Sequence, residues 1–324
     1  MGRRRGGGLD LAAEKGAVSE LVVVVGPTAA GKSTLGAELA AAIGGEVVSA
    51  DSFAVYRGLD IGTAKPPPDV RALAPHHLID IVEPHESYSA GRFTRDADAA
   101  IAAIAARGRR AVVVGGTHFY VRALLRGLFP EPARDPALRR RLEARWLEDP
   151  AALRGELARL DPEAARRIPA ADRQRTLRAL EVTLAAGRPM SELWREQRRG
   201  ARYRFRMLGL QPPRTELHAR IELRVKAMFD AGLLDEVRQL LGSGVPKHCH
   251  ALKAIGYREC CRALDGEWTE PQAREATVVA TCQLAKRQRT WLRGEPDVEW
   301  LAWPAAARDV VARLEASGGT DPRS

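Results

Sequence analysis

Residues 21–34, LVVVVGPTAAGKST, constrain this chain more than any other stretch. Leu21 to Val25 is an unbroken apolar run, the pattern of a strand buried on both faces. It breaks at Gly26-Pro27, and Gly31-Lys32-Ser33-Thr34 then opens a helical pattern. This is GxxxxGK[ST] in the setting that gives it meaning: strand, glycine-bounded loop, helix. Glycines let successive backbone N–H groups converge on an anion, and the helix N-terminus adds partial positive charge. Lys32 adds a full charge, and the Ser33 hydroxyl suits a phosphate-bound Mg²⁺. The loop Gly26, Pro27, Thr28, Ala29, Ala30, Gly31, Lys32, Ser33, Thr34 is therefore expected to cradle a di- or triphosphate. The fold class it implies is α/β, a P-loop core with a mainly parallel sheet flanked by helices.

A helical apolar face (Leu35, Leu39, Ala42, Ile43) ends at Gly44-Gly45, and Glu46 to Ala50 reads as a second strand. It delivers Asp51-Ser52 at its C-terminal end, the edge where open α/β sheets bind ligands. Leu78 to Val82 reads as a third strand, 92–107 as an Ala-rich helix, and Ala111 to Val114 as a fourth strand ending in Gly115-Gly116-Thr117. A P-loop NTPase usually carries an acid at the end of such a strand to hold Mg²⁺ and arrange water. Here the acid is Asp51 instead. That weakens an ATPase or motor reading and leaves room for a transferase whose phosphates belong to a donor or leaving group.

Residues 131–203 change character. Asp135-Pro136, Asp161-Pro162 and Asp172 are helix N-cap signals, and Leu138, Leu142 and Trp146 keep helical spacing, as do Leu177, Leu180 and Leu184. No strand pattern returns before Tyr203 to Leu210, so this is a helical insert between strands. The expected organisation is a flexible basic tail (1–19), the first part of the core (20–130), the helical insertion (131–203), the second part of the core (204–316) and a polar tail (317–324). Residues 131–206 hold 19 arginines, no lysine and 12 acidic residues, a net +7 of the chain's +10. Such a concentration fits a nucleic-acid backbone better than a solvated helix surface. Beyond the insert, a helix from about Thr215 places Arg220 and Arg224 on one face, Gly232 interrupts it, and Lys253 to Arg258 reads as a loop. A last long helix, about 271–293, carries Lys286, Arg289 and Arg293 in one basic stripe.

No apolar run reaches membrane-span length, and the start MGRRRGGG lacks the apolar segment of a signal peptide. The expectation is a cytoplasmic monomer with no membrane partner. The four cysteines form no CxxC pair and read as reduced thiols. His248-Cys249-His250 lacks a second ligand group and reads as loop rather than as a zinc site.

Taken together, GPTAAGKST, SADSFAVYRGLDIGTAKP, VGGTHFYVRALLRGL, DRQRTLRALEV, LKAIGYRE and QLAKRQRTWLR resemble, in the same order, the motifs of the bacterial-type tRNA dimethylallyltransferase (tRNA isopentenyltransferase) family. The resemblance runs from about Leu21 to Trp303. It implies transfer of a dimethylallyl group from dimethylallyl diphosphate to N6 of adenosine 37, just 3′ of the anticodon, with diphosphate released. It implies Lys32, Arg224, the P-loop backbone and Mg²⁺ (held partly by Ser33) at the diphosphate, Asp51 as acceptor of the N6 proton, and Thr117 against the target nucleotide. The anticodon stem-loop contacts it implies are Asp51, Ser52, Phe53, Ala54, Thr117, Arg139, Gln174, Arg175, Thr176, Leu177, Arg178, Lys253, Ala254, Ile255, Gly256, Tyr257 and Arg258. The chain departs from the pattern at Ala54, where many members carry Gln, and at Cys282, where an arginine is common. Two other readings of the P-loop stand beside it: a kinase of a nucleotide or small metabolite, and isopentenylation of free adenine nucleotides. The arginine-rich insert argues against the second, since a free nucleotide needs no stem clamp.

Overall fold

Five consecutive apolar residues, Leu21–Val25, form β1, and all five side chains are fully buried. The structure, a computed structural model, describes residues 20–129, 135–197 and 201–318; the two expected tails fall largely outside them. From β1 the chain runs through α1 (Lys32–Ala42), β2 (Glu46–Ser49), α2 (Pro68–Leu73), β3 (His76–His77), α3 (Ala90–Ala106), β4 (Ala111–Gly115) and α4 (His118–Arg126). Next come α5 (Pro136–Glu148), α6 (Pro150–Leu160), α7 (Pro162–Arg167), α8 (Arg173–Ala186) and α9 (Met190–Gln197). It returns through β5 (Phe205–Gly209), α10 (Arg214–Asp230), α11 (Leu233–Gly242), a 3₁₀ turn (Ala251–Lys253), α12 (Tyr257–Leu264), α13 (Glu270–Arg293), β6 (Val298–Trp300) and α14 (Ala307–Gly318). The described residues divide into two compact units, 20–125 with 203–318, and 126–202.

The first unit holds a six-stranded sheet in the order β3-β2-β4-β1-β5-β6, with every pairing parallel. Val23 aligns with Val113 on one side and Met207 on the other. Parallel strands need helical crossovers, which cover both faces and call for apolar side chains on each. Leu35, Leu39 and Ala40 of α1 and Val310 and Leu314 of α14 accordingly pack with Val22, Val24, Val112 and Val114 in one core. Each valine or leucine among them contributes about 1.5–3 kcal/mol by leaving water. The consequence for function is positional. Because β4 lies between β1 and β2, the loops that follow these three strands emerge side by side at one edge.

The expected strand Leu78–Val82 does not form. Leu78 and Asp80 have positive φ, 64° and 57°, which breaks an extended chain, and sheet pairing stops at His76–His77. The amides of Asp80 and Ile81 bond instead to the carbonyls of Ala54 and Val55, at 3.1 and 2.8 Å. Leu78, Ile79 and Val82 are buried all the same, so their apolar pattern records burial in a coil. The segment 253–258 also differs from a simple loop. Gly256 turns the chain at φ 94° and caps α12, its amide held by Glu259 Oε2 at 2.7 Å.

In the second unit Asp135, Asp149, Asp161 and Asp172 each cap a helix by accepting from a first-turn amide. Asp149-Pro150 carries the same signature as its neighbours and starts α6. Leu138, Leu142, Leu153, Leu157, Leu177 and Leu180 meet in a core of their own.

Candidate functional site

Gly31 caps α1 in the left-handed conformation, φ 86°, where a β-carbon would be strained. It turns the P-loop so that Lys32 and Ser33 open the helix. Ala29 takes the same unusual region, φ 62°. Ser33 and Thr34 are exposed and Thr28 and Lys32 partly so, while Gly26, Pro27 and Ala30 are buried backbone support. Thr28, Lys32 and Ser33 line a cavity of about 290 Å³ together with Asp51, Ser52, Phe53, Ala54, Thr63–Pro66, Gly116, Thr117, Arg224 and Gln288. The structure thus brings the expected Lys32, Ser33, Asp51, Thr117 and Arg224 into one chamber, from loops far apart in sequence.

Its charges are arranged for an anion. Lys32 Nζ donates to Pro27 O at 2.8 Å. Burial and then the nearby Arg224 lower the Lys32 ammonium to about 8, against an opposing pull from Asp51. Burial also lowers Arg224, and Asp51 again opposes. Arg224 donates to Thr28 Oγ1 at 3.3 Å and approaches Thr63 O at 3.5 Å. Two desolvated cations share one carboxylate, a cost that a bound polyanion would relieve.

Asp51 follows β2, and its Oδ1 accepts from the amides of Phe53 (2.8 Å) and Ala54 (3.2 Å). That turn fixes the carboxylate at the cavity wall. Thr117, after β4, accepts from Ser52 N at 3.1 Å and donates to Ser52 Oγ at 3.2 Å, so the two strand-end loops are tied together. For Mg²⁺ the chemistry is an exposed Ser33 hydroxyl on α1, which makes no hydrogen bond among the described residues, and the Asp51 carboxylate of the same cavity. Oxygen donors this few fit Mg²⁺ held mainly by phosphate and water.

Two contributors were not assigned to the site from the sequence. Gln288 Oε1 accepts from Thr28 N at 2.7 Å, and its Nε2 donates to Gly116 O at 2.9 Å; its signal is its place in QLAKRQRTWLR. Arg220 Nε donates to Ala29 O at 2.9 Å, and its spacing from Arg224 was the readable signal. His118, beside Thr117, stacks on Trp291 at 4.4 Å, and burial with the charge of Lys32 lowers it to about 4.

The expected RNA contacts separate into surface and support. Gln174, Arg175, Lys253 and Arg258 are exposed, and Arg139, Arg178 and Ile255 partly so. Thr176, Leu177 and Tyr257 are fully buried, with Ala254 nearly so, and Ala54, 5% exposed, lines the cavity. Thr176 bonds Arg154 at 3.1 Å, Leu177 belongs to the helical core, and Tyr257 is turned inward by the cap at Gly256. Arg139 and Arg178 share Glu181, at 3.6 and 3.1 Å. His250 stacks on Phe53 at 5.5 Å, and no metal-ligand cluster occurs among the described residues. Nor, among them, is any helix long and apolar enough to cross a membrane. The cysteines are unpaired, and burial pushes the Cys260 thiol up to about 12.

A family model described as "IPP transferase" matches residues 54–295. A tRNA dimethylallyltransferase of Anaeromyxobacter dehalogenans is 51% identical over 300 residues, covering 91% of this chain and 99% of that protein. One of Geobacter sulfurreducens is 45% identical, covering 90% and 94%. The crystal structure of a tRNA isopentenylpyrophosphate transferase from Bacillus halodurans superposes with a TM-score of 0.68 at 36% identity, over 92% of this chain and 96% of that one. A eukaryotic dimethylallyltransferase acting on tRNA gives 0.79 at 28%, over 93% and 79%. With a family model over residues 54–295 and a relative 51% identical over 91% of this chain, the chain belongs to the IPP transferase family, that of the tRNA dimethylallyltransferases.

Proposed function

We propose that the chain transfers the dimethylallyl group of dimethylallyl diphosphate to N6 of adenosine 37 in tRNA, giving N6-(dimethylallyl)adenosine and diphosphate. The observation that carries this reading is the meeting of Lys32, Arg224, Asp51 and Thr117 in one cavity, two cations for a leaving group and one carboxylate for a proton. The C1–O bond of the donor breaks, and its electron pair stays on diphosphate. Lys32, Arg224 and the P-loop amides stabilise the charge that grows there. The adenine amino group forms the new N6–C1 bond and gives its proton to Asp51, which offsets the weak nucleophilicity of a conjugated amine. Mg²⁺, if bound by Ser33 and the diphosphate, would supply further neutralisation of the leaving group.

A loop adenine reaches such a cavity only by leaving its stack. Thr117 and the loop at Ser52 would meet it. The exposed Gln174, Arg175, Lys253 and Arg258 would hold the anticodon stem-loop, arginines chiefly at phosphates. On this reading the protein works as a monomer in the cytoplasm.

The test is a transfer assay with purified protein, Mg²⁺, dimethylallyl diphosphate and an unmodified tRNA with adenosines at positions 36 to 38, followed by nuclease digestion and mass spectrometry. A five-carbon mass gain on adenosine 37 alone is the expected result. Gain on AMP but not on tRNA would favour the free-nucleotide branch, and ATP consumption without either would return the site to the kinases.

A further inference from the structure

One wall of the cavity is the loop Thr63–Pro66, and it lies in a coil, not in a helix or strand. Something must hold it. Ahead of that wall, the amides of Asp60 and Ile61 donate to Glu236 Oε2 at 3.1 and 2.9 Å. The Gly62 amide donates to Tyr257 Oη at 3.1 Å, and Tyr257 donates onward to Glu236 Oε1 at 2.5 Å. One carboxylate from α11 and one phenol from α12 thus take the three consecutive amides before the cavity wall. The fit is close: a β-carbon on Gly62 would sit 2.4 Å from the Tyr257 ring and 2.9 Å from Leu233. Tyr257 is fully buried, and both burial and the Glu236 carboxylate keep its hydroxyl protonated. Beyond the strap, Lys65, 5% exposed at its side chain, is tied to Tyr56 O at 2.7 Å, to Asp60 and to Asp80.

We infer that Glu236 and Tyr257 are positioning residues for the donor side of the reaction. They clamp residues 60–62 so that Thr63–Pro66 and the Thr63 carbonyl, which faces Arg224, hold the diphosphate end of the cavity in shape. Tyr257 thereby acts on the diphosphate pocket and not on RNA, although it stands inside a motif that the resemblance associates with tRNA. The inference rests on the diphosphate reading of the cavity.

The experiment compares Tyr257→Phe, Glu236→Ala, Glu236→Gln and Gly62→Ala with the wild type in three measurements. They are calorimetric affinity for inorganic diphosphate with Mg²⁺, anisotropy affinity for an anticodon stem-loop RNA, and hydrogen exchange of the peptide covering 59–66. Tyr257→Phe keeps the ring in place and loses only the hydroxyl. It is expected to speed exchange in 59–66, weaken diphosphate about fivefold to tenfold and leave RNA affinity unchanged. Glu236→Ala should do the same or more, Glu236→Gln less because one acceptor oxygen remains, and the double variant Tyr257→Phe/Glu236→Ala, made for this comparison, little more than either single change, since the two groups act as a unit. If Glu236→Ala does not fold, Tyr257→Phe and Gly62→Ala decide. Unchanged exchange and diphosphate affinity in Tyr257→Phe overturns the inference, as does a loss confined to RNA. A wild type that ignores diphosphate would instead sink the reading of the cavity, while exchange in 59–66 would still report on the clamp.

Discussion

Gln288 accepts from the backbone amide of Thr28 at 2.7 Å, closing a gap of 260 residues between the last long helix and the P-loop. Its amide nitrogen donates to Gly116 O at 2.9 Å, so one side chain joins the loops that follow β1 and β4. Removing it strands a half-buried donor and a half-buried acceptor, a loss of about 1–3 kcal/mol. Gln288→Ala is therefore expected to weaken inorganic diphosphate about tenfold, with a lower melting temperature. Gln288→Glu keeps the acceptor for Thr28 but loses the donor to Gly116 and brings negative charge to the anion site, so its diphosphate affinity should fall further. Calorimetry on the two variants checks this, and an equal affinity for both would remove the electrostatic part of the argument.

Asp51 has two duties that a single substitution separates. Its Oδ1 holds the amides of Phe53 and Ala54, and its carboxylate is the proposed proton acceptor. Asn keeps an oxygen for the turn and loses the base. Asp51→Asn should thus lower the transfer rate at saturating substrates by about 10²–10⁴ while RNA affinity stays near wild type. Single-turnover transfer and anisotropy measure the two quantities, and retained turnover would move the base elsewhere.

The sequence was legible where a local pattern has a single physical outcome. Leu21–Val25, bounded by Gly26-Pro27, reads as a strand buried on both faces, and Gly31-Lys32 opens α1. The aspartates before the insert helices were readable for the same reason. What could not be read depends on contacts between distant parts of the chain. Nothing local says that Leu78 and Asp80 take positive φ, because the amides they orient bond to residues 54 and 55. Nothing local says that Thr176 and Leu177 face inward while Gln174 and Arg175 face out, since that depends on which side of α8 meets the other helices. Gln288 and Glu236 are polar residues on helices, and only the fold reveals the backbone amides they meet.

The arginines of the helical insert should differ in their effect on RNA. Arg173 is exposed and has no ion-pair partner among the described residues, and Arg175, its side chain 70% exposed, reaches only Asp172 at 3.4 Å. Arg139 is already engaged with Glu143 and Glu181. Releasing counterions from phosphate is the chief gain of such contacts, so each lost contact lowers the log–log salt slope by about 0.7–0.9. Arg173→Ala and Arg175→Ala are expected to flatten the slope by that amount each, and Arg139→Ala by less. Anisotropy titrations from low to moderate salt check the order; identical slopes for all variants would place the RNA contacts elsewhere.

Glu46 sets the behaviour of the fold in acid. Its side chain is 3% exposed and opens β2, where Arg107 donates at 3.0 and 2.7 Å, Arg109 at 3.2 Å and His77 lies at 2.6 Å. The hydrogen bond from Arg107, helped by the one with His77 and opposed by burial, lowers its carboxyl from 4.5 to about 2. A carboxyl lowered by folding contributes stability above its ordinary value, and that contribution is lost as pH falls from about 4.5 towards 2. Glu46→Gln removes it. The arginines are half exposed, at 46% and 49%, and can return to water, so the loss at pH 7 should be about 1–3 kcal/mol, below that of breaking a fully buried pair. Urea midpoints of wild type and variant should therefore differ at pH 7 and converge as pH approaches 2, whereas parallel curves would contradict the linkage. Because Glu46 lies at the opposite end of β2 from Asp51, the variant should keep its transfer activity at pH 7 once folded, which separates a fault in the sheet from a fault in the site.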